Sequence, residues 1–111
     1  MMFAALALVA QPAGATHDIS GMAPWVHCIE TAARAWSSQR ETADVIARGA
    51  VASCTPLEPA FEEGLRQQLS AEGAGQDVAR TVARTSMEHA RSAVIERTIA
   101  TVLATRAAGP P

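Results

Sequence analysis

The sequence predicts an all-α protein, a small bundle of about four helices in which a disulfide links the first two helices as a hairpin and the last helix is long. Three observations predict this fold. Apolar residues recur at helical spacing in four segments, Pro56, Pro59, Gly73 and Gly75 interrupt this spacing, and Cys28 and Cys54 lie symmetrically about a turn expected at Glu41. A chain of 111 residues has room for one hydrophobic core, so we expect a single domain over residues 16–108.

Residues 1–15 have the layout of a cleavable signal peptide. An apolar run over residues 3–10 precedes the helix-breaking Pro12, and an Ala-x-Ala cleavage site ends at Ala15, although no Arg or Lys precedes the run. The run is shorter than the roughly 20 residues that span a bilayer. We therefore expect a periplasmic or secreted protein that begins at Thr16 and has no stable membrane span. A cytosolic protein with an ordinary N-terminal segment is the alternative.

The first two helices are predicted from an apolar stripe on each. Pro24 suits the first turn of a helix that should end near Ser37. Ser38 and Glu41 then form a capping box, which predicts the start of a second helix that runs to about Cys54. The stripes consist of Trp25, Cys28, Ile29, Ala32, Ala33 and Trp36 in the first helix, and of Ala43, Ile46, Ala47, Ala50 and Cys54 in the second.

The remaining apolar periodicity predicts a short helix and then a long one. The third helix should begin around Pro59, carry Phe61, Leu65 and Leu69 on one side, and end at the Gly-rich residues 72–75. No Gly or Pro follows until Gly109, so roughly 30 residues are predicted to form one helix about 45 Å long. Its β-branched second half could suit a strand, but no other segment could pair with it.

The two cysteines are predicted to form a disulfide. If the first two helices are antiparallel, both thiols reach the same level of the hairpin on inward faces, close enough for an S–S bond. Closing this loop would stabilise the fold by about 3.5 kcal/mol on the chain-entropy argument. Two buried free thiols, Cys28 and Cys54, would be the outcome in a reducing cytosol.

An apolar patch on the far half of the long helix is the predicted interaction surface. A hairpin only about 20 Å long leaves that half of a 45 Å helix without an intramolecular partner. We expect it to form a homodimer or to bind another protein, and a bend that returns it to its own core is the alternative. The patch consists of Ile95, Ile99, Val102 and Leu103.

A small-ligand or enzyme site between the helices, near Arg80, Arg84 and Trp36, is the second functional hypothesis. The sequence favours the first hypothesis, a non-enzymatic protein that binds another protein or itself. Arg80, Arg84 and Arg91 share one side of the helix with Glu88, and the i,i+3 and i,i+4 spacings among these charges predict a solvated, ion-paired face. Two tryptophans, Trp25 and Trp36, are expected to be core anchors rather than an exposed ligand platform, because the alanine-rich domain has few other large side chains.

Composition excludes some partners. The net charge of −2 and the lack of clustered basic and aromatic residues argue against nucleic-acid binding. The three histidines, His17, His27 and His89, do not have the paired spacing of a zinc motif, and metal ligation would compete with the disulfide for the cysteines. We expect no metal, no cofactor and no catalytic residue.

The segment from Cys28 to Cys54, with Ser38, Glu41 and Ala50 among the residues between the cysteines, resembles small two-cysteine helical proteins that proteobacteria secrete. The resemblance covers about a quarter of the chain and implies export and a disulfide, with no activity attached. In general layout the chain is also similar to periplasmic acid-stress chaperones, a likeness of architecture alone.

Overall fold

A computed structural model describes residues 19–109 of the chain. Within this range the fold is all-α and contains no strand, as the sequence predicts. The predicted signal peptide, residues 1–15, lies outside the described residues. The helices are α1 (Met22–Trp36), α2 (Ala43–Ser53), α3 (Glu58–Ala71) and α4 (Gln76–Ala108), and a 3-10 turn over Thr55–Leu57 joins α2 to α3.

The long helix α4 contacts each of the other three helices. Its 33 residues form one helix about 50 Å long. Helices α2 and α3 follow one another along α4 in the opposite direction. Near the C-terminal end of α4, Arg106 binds the backbone of Ser37 and Gln39, just before α2. Midway along α4, Arg91 pairs with Glu58 at the start of α3.

Helix α1 packs on α2 as the predicted disulfide-linked hairpin. Cys28 of α1 and Cys54 at the end of α2 form a disulfide with a Cα–Cα distance of 6.0 Å. Cys54 is buried, whereas Cys28 is half-buried. The predicted pairing and the predicted antiparallel hairpin are both confirmed.

The chain enters α1 through a close contact with α3. Gly21 caps α1 with a left-handed backbone (φ 86°), and a Cβ there would lie 2.6 Å from the backbone of Ala60 and Phe61. On the other side of the contact, a Cβ at Gly64 would overlap the carbonyl oxygen of Ser20. Glycine is therefore required at both positions, because it alone lets the two backbones approach this closely.

The hydrophobic core lies between α1 and the faces of α2, α3 and α4. Trp25 of α1 packs against Phe61 of α3 with ring centroids 5.1 Å apart, which confirms Trp25 as a core anchor; its indole nitrogen is buried and has no hydrogen-bond partner among the described residues. From α4 the core receives one row of buried residues four or seven positions apart, the spacing of a single helix face. The row is Ala79, Ala83, Met87, Val94, Thr98 and Val102.

The start of α2 differs from the prediction. Thr42 is the N-cap, and its hydroxyl accepts a hydrogen bond from the amide of Val45 at 3.3 Å. Ser38 and Glu41 lie in the preceding loop, so the predicted capping box is wrong. Ser38 and Thr42 both carry a hydroxyl that can accept a hydrogen bond from an amide in the first turn of a helix, so either residue could be the N-cap on sequence grounds. The loop is longer than predicted because its backbone carbonyls bind Arg106, which a helix beginning at Ser38 would prevent.

Candidate functional site

The predicted interface residues divide between the core and the surface. Val102 is 1% exposed and belongs to the core row of α4, so its assignment to an exposed patch is wrong. Ile95 and Ile99 are half-buried against the core, and Leu103 is 54% exposed. Ile95, Ile99 and Leu103 each follow a core residue directly and so lie about 100° further around the helix. We call these three residues the apolar flank of α4.

The expectation that the far half of α4 has no intramolecular partner is also wrong. It assumed that only the α1–α2 hairpin could cover α4. In the structure both α2 and α3 contact α4, with the loop before α2 bound to Arg106 and the start of α3 bound to Arg91. The far half therefore needs neither a second copy nor a bend to bury Val94, Thr98 and Val102, and only the apolar flank remains beside that buried row.

The two turns of α4 that carry Ile99 and Leu103 contain no charged residue, and Glu96 and Arg106 border them. Residues 98–105 contain no Asp, Glu, Arg or Lys. The hydroxyl of Thr101 donates to the carbonyl of Arg97, and the hydroxyl of Thr105 donates to the carbonyl of Thr101. Thr101 and Thr105 lie on the opposite side of α4 from Leu103, about 160° around the helix, so these hydroxyls take no part in the apolar flank. Exposed apolar residues mark a protein-binding face when they are contiguous, and Ile95, Ile99 and Leu103 form one row with a spacing of four residues.

Arg106 fixes the end of α4 beside this flank. Its guanidinium donates to the carbonyl oxygens of Ser37, Gln39 and Glu41 in the α1–α2 loop, over distances of 2.5 to 2.8 Å. Hydrogen bonds from a charged donor are stronger than those between neutral groups. They hold the last turns of α4 against the hairpin, so the apolar flank sits on a supported helix. The sequence gives no sign of this contact, because its acceptors are backbone atoms.

A cleft of about 360 Å³ lies between α3 and α4 on the other half of the long helix. Its polar lining includes Glu58, Glu62, Glu63, Arg66 and Arg80. A cleft of this size falls in the range of small-ligand sites. The chemistry available to a ligand depends on whether these charges are already paired within the protein.

Most charged residues of the cleft are paired with another residue of the protein. Glu58 is buried and accepts two hydrogen bonds from Arg91, at 3.2 Å from Nε and 2.7 Å from Nη2. The hydrogen bonds to Glu58 raise the pKa of Arg91. Glu63 pairs with Arg66 in the same way, and the hydrogen bonds from Arg66 lower the pKa of Glu63. The walls of the cleft are thus stabilised internally and present little unpaired charge.

The residues of the alternative ligand site are not brought together. Arg80 lines the cleft and lies 3.9 Å from Asp77. Trp36 ends α1 next to Ser37, which binds Arg106. Arg80 and Arg106 are 26 residues apart on one helix, a distance of about 39 Å. A single site cannot include both Arg80 and Trp36.

The other residues of that hypothesis lie on the surface or against α2. Arg84 is exposed on α4. Trp36 is half-buried, and a Cβ at Gly49 of α2 would lie 3.7 Å from its ring.

The predicted ion pair of Arg91 with Glu88 is not formed. Arg91 pairs instead with the buried carboxylate of Glu58 in α3, which accepts two hydrogen bonds from its guanidinium.

Histidines do not form a metal centre in the described part of the chain. His27 and His89 are exposed on different helices, and His17 lies outside the described residues. Residues 19–109 contain no group of three or more His, Cys, Asp or Glu side chains arranged to hold a metal ion.

No helix within residues 19–109 is both long enough and apolar enough to cross a bilayer. Comparison with known protein families, with curated proteins and with solved structures finds no match to this chain. The resemblance to secreted two-cysteine proteins therefore stays a prediction, and the geometry of the apolar flank is the main basis for a functional assignment.

Proposed function

We propose that this chain is an exported, non-enzymatic module that binds another protein, or a second copy of itself, through the apolar flank of α4. The observation that carries the proposal is the 54% exposure of Leu103 at the end of a row that begins with the half-buried Ile95 and Ile99. Removing a fully exposed Leu side chain from water contributes about 1.5–3 kcal/mol, so burying the exposed half of Leu103 would contribute about half of that.

The surroundings of Leu103 support the proposal. The two turns over residues 98–105 carry no charge that would have to be desolvated on binding. Arg106 holds the same end of α4 against the α1–α2 loop, so a partner would meet a surface already ordered. An ordered surface loses little conformational entropy on association, which favours affinity.

Export is proposed from the disulfide together with the leader-like residues 1–15. A disulfide between Cys28 and Cys54 persists in an oxidising compartment such as the periplasm or the extracellular space and is rare in a reducing cytosol.

The paired charges of the α3–α4 cleft support a non-enzymatic role, because Glu58 and Glu63 are already held by Arg91 and Arg66. Carboxylates committed to such pairs are poor general acids or bases.

The test compares two arginine substitutions on α4. Leu103→Arg places a charge in the apolar flank, while Thr105→Arg places the same charge two residues on, about 200° around the helix. Both positions are exposed, so both variants should fold. Self-association is measured by sedimentation velocity over a wide concentration range, and binding to other proteins by quantitative affinity capture from extracts of the source cells.

We expect the wild type to self-associate or to retain a specific protein, and Thr105→Arg to behave in the same way. Leu103→Arg should weaken that interaction at least about tenfold, which corresponds to 1.4 kcal/mol. The proposal is wrong if the wild type stays monomeric and retains no protein. It is also wrong if Leu103→Arg binds as well as Thr105→Arg.

A further inference from the structure

We draw no further inference here: the strongest candidate, the apolar flank of α4 formed by Ile95, Ile99 and Leu103, is the surface already proposed for protein binding, and nothing in the structure shows what covers it.

Discussion

Replacing Arg106 should show most directly how the C-terminal end of α4 is held against the α1–α2 loop. Replacing it with Ala removes three charge-assisted hydrogen bonds to the α1–α2 loop. We expect the free energy of unfolding to fall by about 2 kcal/mol, because the freed carbonyls regain water only in part. Equilibrium urea unfolding measures the change.

Arg97→Ala is the matched control for Arg106→Ala. Arg97 lies on the same helix and is exposed, so its removal should change stability by less than about 0.5 kcal/mol. Arg106→Lys should fall between the wild type and Arg106→Ala, since one ammonium group cannot reach three carbonyls as a planar guanidinium does. Equal stability of the two alanine variants would contradict the role assigned to Arg106.

The Glu58–Arg91 pair makes a second prediction at the scale of single residues. Glu58→Gln should lower the free energy of unfolding by about 1–2 kcal/mol, a value discounted because the Arg91 side chain is 41% exposed. The pair raises the pKa of Arg91. A raised pKa in the folded state means that the Arg91 contribution is present at any pH below the ordinary pKa of arginine and is lost only as the pH rises further.

Glu62→Gln serves as the control for this pair. Glu62 lines the same cleft one turn later and makes no salt bridge among the described residues. Thermal unfolding at neutral pH should separate Glu58→Gln from both Glu62→Gln and the wild type. If the two variants unfold at the same temperature, the ion pair contributes nothing measurable.

At the scale of helices, a crowded glycine, Gly64 of α3, and an uncrowded one, Gly49 of α2, test how closely α3 approaches the residues that precede α1. Gly64→Ala puts a methyl group into the backbone of Ser20 and should destabilise the protein by more than about 2 kcal/mol. Gly49→Ala places the same methyl group 3.7 Å from the Trp36 ring, an ordinary contact. Because Ala is the better helix former, Gly49→Ala should stabilise α2 by about 0.5–1 kcal/mol.

Circular dichroism during chemical denaturation checks both glycine variants in one experiment. The packing described for the entry into α1 requires the two variants to shift the unfolding midpoint in opposite directions. A tolerated Gly64→Ala would mean that Ser20 and Gly64 are not in contact in solution, and a destabilising Gly49→Ala would mean that the Trp36 ring lies closer to Gly49 than described.

The sequence predicted the helices more accurately than their arrangement. Helical spacing, Pro and Gly placed all four, and the symmetry of Cys28 and Cys54 about the turn placed the hairpin. The tandem course of α2 and α3 along α4 was missed because the 3-10 turn over Thr55–Leu57, with Pro56 in it, reads as a break in the chain direction. In the structure it joins α2 to α3 while both helices contact α4, an arrangement that no local pattern predicts.

Only part of the candidate site could be predicted, for a similar reason. The sequence identified Ile95, Ile99 and Leu103 as a surface, since apolar periodicity marks one side of a helix. It also included Val102, because the direction of a helix face toward the core depends on which neighbours pack there. Contacts such as Arg106 with backbone carbonyls require a tertiary structure to be seen.

At the scale of the whole molecule, a thin, alanine-rich core is supplemented by a covalent link. Within residues 19–109, only a few large side chains, among them Trp25, Ile29 and Met87, are fully buried. The disulfide at 26 residues' separation would contribute about 3.5 kcal/mol to stability on the chain-entropy argument. In a domain of this size that is a substantial part of the total, so the proposed compartment and the stability of the fold depend on the same bond.

Intact-mass spectrometry of the protein purified from its natural source tests this dependence most directly. We expect a chain that begins at Thr16, weighs two hydrogen atoms less than its dithiol form, and reacts with a thiol-alkylating reagent only after reduction. A chain that still begins at Met1 and in which Cys28 and Cys54 are both alkylated without reduction would contradict export and the disulfide together.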